Sequence, residues 1–333
     1  MPYPQSLAAA ALTLISIAPL WAQASTANKW AAPRTPDGHP DLSGIWDAAS
    51  MTPLERPVEL GTKAFYTPEE MAAYEKQRAR DLNRDRRDGT AQADLARAYN
   101  DGWFDRGAHL GSNHRTSRLI DPPNGRFPAM TPAAANRYKE VHAWLADHAD
   151  DSAETRTLYD RCLVFSQSGP PFLPGNYNNF YQVAQTPGVV AIVSEMGHQA
   201  RTMTVAQDAR SARPHLAANI RQWQGDSVAH WESDTLVIDT TNFRASDQSR
   251  FGVQYDGMSD ENLHVIERFT RTGPVTLTYR ATVIDPTVYT QPWTVEIPME
   301  KTEARIFEYA CHEGNYGLVD ILSGARAHDR QAR

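Results

Sequence analysis

Leu263-His264-Val265-Ile266-Glu267-Arg268-Phe269-Thr270-Arg271, a turn at Gly273-Pro274, and the returning run Val275–Asp285 decide the fold. Both runs are rich in β-branched and aromatic residues. The Gly-Pro pair turns the chain between them, and Pro286 ends the second, so the stretch reads as a β-hairpin. The same pattern recurs on both sides of it. Tyr177–Thr186 and Val189–Met196 meet at Pro187-Gly188, and Gln199–Val205 returns after Gly197-His198. Val228–Trp231 and Thr235–Thr240 flank the break Glu232-Ser233-Asp234, and Trp293–Met299 with Ile306–Cys311 read as the last hairpin. Sequential strands with short connections make an antiparallel meander. A meander of this length protects its edges best by closing into a barrel, which predicts a mainly β fold, lipocalin-like in pattern.

Upstream of the hairpins the period changes. Asp41-Leu42-Ser43-Gly44-Ile45-Trp46 reads as a first strand. Thr67-Pro68-Glu69-Glu70 places Thr at an N-cap, Pro at N1 and Glu at N3 of a helix running towards Arg87. Thr131-Pro132 opens a second helix, on which Tyr138, Val141 and Leu145 form a core stripe. The expectation is an N-terminal helical layer over residues 67–150 and a β-meander over 177–316, sharing one domain from 25 to 333.

The 333 residues are 41% hydrophobic and 22% charged, an ordinary globular composition, and the net charge of -7 argues against a nucleic-acid partner. Leu7–Leu20 is apolar and Ala22-Gln23-Ala24 fits a cleavage site, so residues 1–24 read as a signal peptide for periplasmic or secreted protein. The apolar run is too short for stable membrane insertion. The chain has two cysteines, which in an exported protein suggest a Cys162–Cys311 disulfide rather than two buried thiols. Closing so long a loop is worth about 4–5 kcal/mol in the chain-entropy model.

Function is read from histidines placed beside carboxylates. In Arg305–Gly317 the alternation puts Glu308 and His312 on one face and Phe307, Tyr309 and Cys311 on the other. If the apolar face packs outward against the helical layer, Glu308 and His312 face a hydrated barrel cavity. Glu195 and His198 flank the Gly197 turn, Glu261, His264 and Glu267 cluster at a strand start, and His230 and Glu232 flank Trp231. Histidine titrates near neutral pH and a buried glutamate can be raised towards it. The candidate catalytic residues are therefore His312 as base, with His264, Glu195 and His198 as acid or orienting groups. Arg201, Tyr181, Asn178 and Glu308 are candidate substrate contacts, Arg201 for an anionic group. No stretch has convincing metal-ligand spacing, and no phosphate loop or nucleophile motif points to an organic cofactor. The expectation is an exported lyase, isomerase or hydrolase acting on a small organic molecule inside the barrel. The alternatives are a non-catalytic ligand-binding barrel and an interaction-only protein.

Asp41-Leu42-Ser43-Gly44-Ile45-Trp46, Asp121-Pro122-Pro123-Asn124-Gly125-Arg126, Gly225-Asp226-Ser227 with Trp231-Glu232, and Ala310-Cys311-His312-Glu313-Gly314-Asn315-Tyr316 together resemble an uncharacterised family of exported bacterial proteins. The resemblance spans nearly the whole mature chain. It implies export and a single folded unit, and carries no chemistry.

Overall fold

Alternate residues of a strand point to opposite faces, so the period-two pattern of the hairpins specifies an inside and an outside once the sheet rolls up. The computed structural model describes residues 30–83, 85, 89–96, 102, 104–247 and 261–331. The signal-peptide expectation, residues 1–24, lies outside them. The strands are β1 (Gly44–Asp47), β2 (Leu119–Asp121), β3 (Phe180–Thr186), β4 (Val189–Ser194) and β5 (Gln199–Ala206). They continue as β6 (Asp226–Glu232), β7 (Thr235–Thr241), β8 (His264–Arg271), β9 (Thr276–Ile284) and β10 (Trp293–Thr302). Their order is β1-β3-β4-β5-β6-β7-β8-β9-β10, and β10 pairs back onto β1 through Ile45↔Thr302, Trp46↔Lys301 and Asp47↔Glu300. A closed nine-stranded barrel results.

β1 is too short to cover the whole free edge of β10. β2 takes the remainder, at Thr294 and Val295. Pro298 lies between those two pairings, where its missing N–H leaves no ladder bond unmade. Leu277, Tyr279, Ala281 and Val283 of β9, with Trp293, Val295, Ile297 and Met299 of β10, fill the inside. Thr278, Arg280, Thr282 and Thr294 alternate outward.

Two expectations need correction. The meander is not antiparallel throughout: β5 and β6 run parallel, through Val205↔Ala229 and Ala206↔His230. Parallel neighbours need a crossover rather than a tight turn, and residues 207–225 supply it. Nor is Ile306–Cys311 a strand. One edge of β10 is held by β9 and the other by β2 and β1, so closure leaves the segment no edge to join. It runs outside the sheet instead. There Tyr309 packs edge-on against Phe165, at 5.7 Å between ring centroids, and Cys311 is bonded to Cys162. This expected disulfide joins residues 149 apart in sequence, with Cα atoms 5.8 Å apart.

The helices are α1 (Pro68–Leu82), α2 (Ala91–Ala96), α3 (Pro132–His148) and α4 (Tyr316–Gln331). Thr67 and Glu70 form a reciprocal capping box at α1, and the Thr131 hydroxyl caps α3. Met71 and Tyr74 of α1 pack on a small cluster of Met51, Tyr66 and Leu110, while Tyr138 of α3 packs on the barrel's own core. Residues Ala32–Arg333 form one compact unit. No described helix is long and apolar enough to cross a membrane.

Candidate functional site

The barrel interior is a packed core. Phe172 and Leu173, from the proline-rich loop at 169–175, are buried within it, and the Phe172 N–H donates to the Tyr279 hydroxyl at 2.8 Å. Phe172 also meets the rings of Tyr181, Phe269 and Tyr279. Glu267 and Arg201 form a two-pronged ion pair here, at 2.7 and 2.9 Å, and the Tyr279 hydroxyl donates to Glu267 at 2.9 Å. Two readings change accordingly. Arg201 is matched by Glu267 within the core rather than presented to a cavity. Tyr181 is fully buried, its hydroxyl donating to the Gln167 carbonyl at 2.8 Å. Among the described residues, side chains of the core fill the inside where the substrate was expected.

The other expected residues lie around the barrel rather than inside it. His312 and Glu308 are exposed, and among the described residues the His312 ring makes no hydrogen bond. The cause is the lost strand: parity predicts a facing only for a residue that pairs. Glu195 is buried and accepts a hydrogen bond from the Phe307 N–H at 3.2 Å, which holds the 303–311 segment against the barrel. Burial raises the Glu195 carboxyl above its ordinary range, against the hydrogen bonds it accepts from Phe307, Phe180 and Asn178. His198 sits at positive φ with an exposed ring, and its N–H donates to the Glu195 carbonyl at 3.1 Å. Glu195, His198 and Asn178 are thus neighbours, and His264 stands apart from them on another part of the wall.

His264 opens an extended chain of titratable groups. On the outer face, β6 contributes Asp226, β7 Asp239 and β8 His264, all with the parity opposite to the core residues Ala229, Ile238 and Val265. Gly225 at φ +69 turns the chain into β6, where a Cβ would stand 2.6 Å from the Thr241 carbonyl oxygen, so only glycine fits the approach that places Asp226. The crossover lays Arg213 and His215 over these strands. His264 Nε2 lies 2.9 Å from Asp239 Oδ2, and Asp239 Oδ1 lies 2.8 Å from His215 Nε2. His215 Nδ1 is 3.0 Å from Asp226 Oδ2, and Arg213 clasps Asp226 at 2.6 and 3.1 Å. The Leu216 N–H donates to Asp226 at 2.9 Å.

The protonation pattern follows from the donors. Burial pushes the Asp226 carboxyl up, but the bonds from Arg213, Leu216 and His215 win and hold it at about 2. Burial likewise opposes ionisation of Asp239, and hydrogen bonds and charge from His264 and His215 keep it below the ordinary carboxylate range. Ionised carboxylates only accept, and His215 has one within hydrogen-bond distance of each ring nitrogen. His264 donates through Nε2. Its Nδ1 has no hydrogen-bond partner among the described residues, and the side chain is 31% exposed. A histidine oriented by a carboxylate, with its second nitrogen open to solvent, is equipped to take a proton from a bound molecule and return it. Among the described residues no group of histidines and carboxylates converges on a metal position.

Of the expected catalytic residues, only His264 belongs to this chain of bonds. Asp226, Asp239, His215 and Arg213 went unrecognised. Asp239 did leave a signal, as the carboxylate within the apolar run Leu236–Thr240. His215 left none, because it lies in the crossover, which has no period to read. Compared with models of known protein families, with curated proteins and with solved structures, the chain matches none.

Proposed function

We propose that this is an exported acid–base enzyme acting on a small polar organic molecule at the outer wall of the barrel. His264 is the proton-transferring group. The reading is carried by one observation, the bonded series His264–Asp239–His215–Asp226–Arg213 with His264 Nδ1 left open. Asp239 fixes the tautomer of His264 and stabilises the imidazolium formed when Nδ1 accepts a proton. His215, Asp226 and Arg213 keep Asp239 ionised and stationary. Lyase, isomerase and hydrolase chemistry all use such a step. Export rests on the apolar N-terminal run, the disulfide and the resemblance to exported bacterial proteins, and a periplasmic or secreted setting accommodates the Cys162–Cys311 bond.

The test is a turnover screen of mature protein on small esters, lactones, hydroxy acids and enolisable carbonyl compounds. For any substrate found, His264→Gln and Asp239→Asn are expected to lower kcat by about 10²–10⁴-fold. His312→Ala is expected to leave it unchanged. Full activity in folded His264→Gln would remove the proposal.

A further inference from the structure

A second polar site lies on the opposite side of the sequence from the relay, where the β1 exit, α1 and the proline-rich loop meet. It is a pocket of about 80 Å³ whose described lining includes Ser50, Thr52, Asn176, Arg78, Arg106 and Arg118, with no carboxylate among those described residues. That volume suits one tetrahedral oxyanion, or on the order of two to three waters.

Two of the arginines are fixed in place by the chain around the pocket. Arg118 donates to the carbonyls of Pro174 at 3.0 Å and Ser50 at 2.9 Å. Arg106 donates to the Leu82 carbonyl and to the Asn176 side chain, each at 3.2 Å. Arg78, on the middle of α1, differs from both. Among the described residues its guanidinium makes no hydrogen bond or ion pair, and its Nε is one of several arginine Nε atoms, that of Arg118 included, that are buried without a hydrogen-bond partner. A buried N–H donor left unmatched costs free energy, and an anionic oxygen reaching Arg78 Nε would offset it.

A contrast sharpens the point. The groove on the outer wall between β7 and β9, of about 290 Å³, is also lined by arginines, Arg268 and Arg280. Those are matched by carboxylates, Arg268 by Glu232 at 3.1 Å and Arg280 by Glu296 at 2.6 Å. Their charge is spent within the protein, whereas that of Arg78 is available to a ligand.

The geometry points to a binding site for a small tetrahedral oxyanion of the phosphate or sulfate type, closed by Arg78 over a base set by Arg106 and Arg118. Guanidinium donors match such oxygens in pairs, and Ser50 and Thr52 add hydroxyls at the same wall. The site is independent of the His264 relay and stands whether or not that relay is catalytic.

The experiment is calorimetric titration of the mature chain with inorganic phosphate, sulfate and acetate, each balanced with chloride to constant ionic strength. Saturable one-site binding of phosphate or sulfate is expected, with affinity falling about tenfold or more in Arg78→Gln, the loss of a charged hydrogen-bonding group. Arg78→Gln exchanges one polar residue of a solvent-facing helix for another and is expected to melt with the wild type in chloride. In parallel, the Arg78 Nε–H resonance of the wild-type protein should shift on adding phosphate and not on adding chloride, a readout that needs no variant. Absence of saturable binding, wild-type affinity in Arg78→Gln, an unmoved Arg78 resonance, or binding of acetate alone would each overturn the assignment.

Discussion

Glu267 and Asp239 sit one register step apart on the same β7–β8 ladder. Ile238 pairs with Glu267, and Asp239 pairs with Ile266. Each carboxylate is held by cationic or donor side chains, yet the two sites have opposite uses. Glu267 faces the core, is fully buried, and is saturated by Arg201 and Tyr279. Asp239 faces outward, is a third exposed, and connects two histidines of which one keeps an open nitrogen. The same chemistry becomes architecture on one face and a candidate site on the other. Strand parity decides which.

The inner pair is expected to respond most strongly. Glu267→Gln leaves Arg201 charged in the core and should destabilise the fold by about 3–5 kcal/mol in denaturant titrations. Replacing Arg201 and Glu267 together by Met and Leu should recover most of that loss, since a well-packed apolar pair can stand in for a buried ion pair. The outer pair should behave differently: Asp239→Asn should change stability by no more than about 1 kcal/mol, as expected of a partly exposed network. Equal losses at the two positions would erase the contrast.

Acid sharpens the outer half of the comparison. The Asp226 carboxyl is held at about 2, below its ordinary 3.8. Its contribution is therefore complete above the ordinary value and is lost as pH falls through the window between the two. Hydrogen exchange in the crossover, residues 207–225, should accelerate across that window before the barrel strands open, and Asp226→Asn should show the faster exchange already at neutral pH. Asp47, on β1, is expected to respond with the opposite sign. Burial first, with Asp105, Glu300 and Glu195 adding repulsion, raises it from 3.8 to about 6 against the hydrogen bond it accepts from Ala49. The folded chain then holds a proton that the unfolded chain releases, so stability falls as pH rises from about 4 to about 6. Asp47→Asn keeps the acceptor oxygen and should flatten that slope, leaving the melting temperature at acid pH unchanged.

The same parity explains what was legible in the sequence. The hairpins were, because their inward residues form unbroken alternations: Leu277, Tyr279, Ala281 and Val283 are all 0% exposed. The helix starts were, because Thr67 and Thr131 cap locally. The disulfide followed from the cysteine count. Closure by β1 was not legible, since a four-residue strand far upstream carries no mark of its partner. That omission made Ile306–Cys311 look like the final strand and drew His312 and Glu308 into the site. The parallel joint was equally silent, and it carries Arg213 and His215. Of the site, a sequence period could place only His264, Asp239 and Asp226, which sit on strands, and it could not say that the barrel's inside is filled. Facing alone does not mark a site: the polar residues that face inward, Arg201 and Glu267, are matched to each other.

The central claim is that His264 is held by Asp239 in the Nε2–H form with Nδ1 bare and open to solvent. Long-range ¹H–¹⁵N correlation of the histidine rings, recorded above the imidazole titration, reports this tautomer directly. The account predicts that the His264 proton resides on Nε2 in the wild-type protein and that Asp239→Asn shifts the tautomer population. A His264 ring protonated on Nδ1, or a tautomer unchanged by Asp239→Asn, would contradict it.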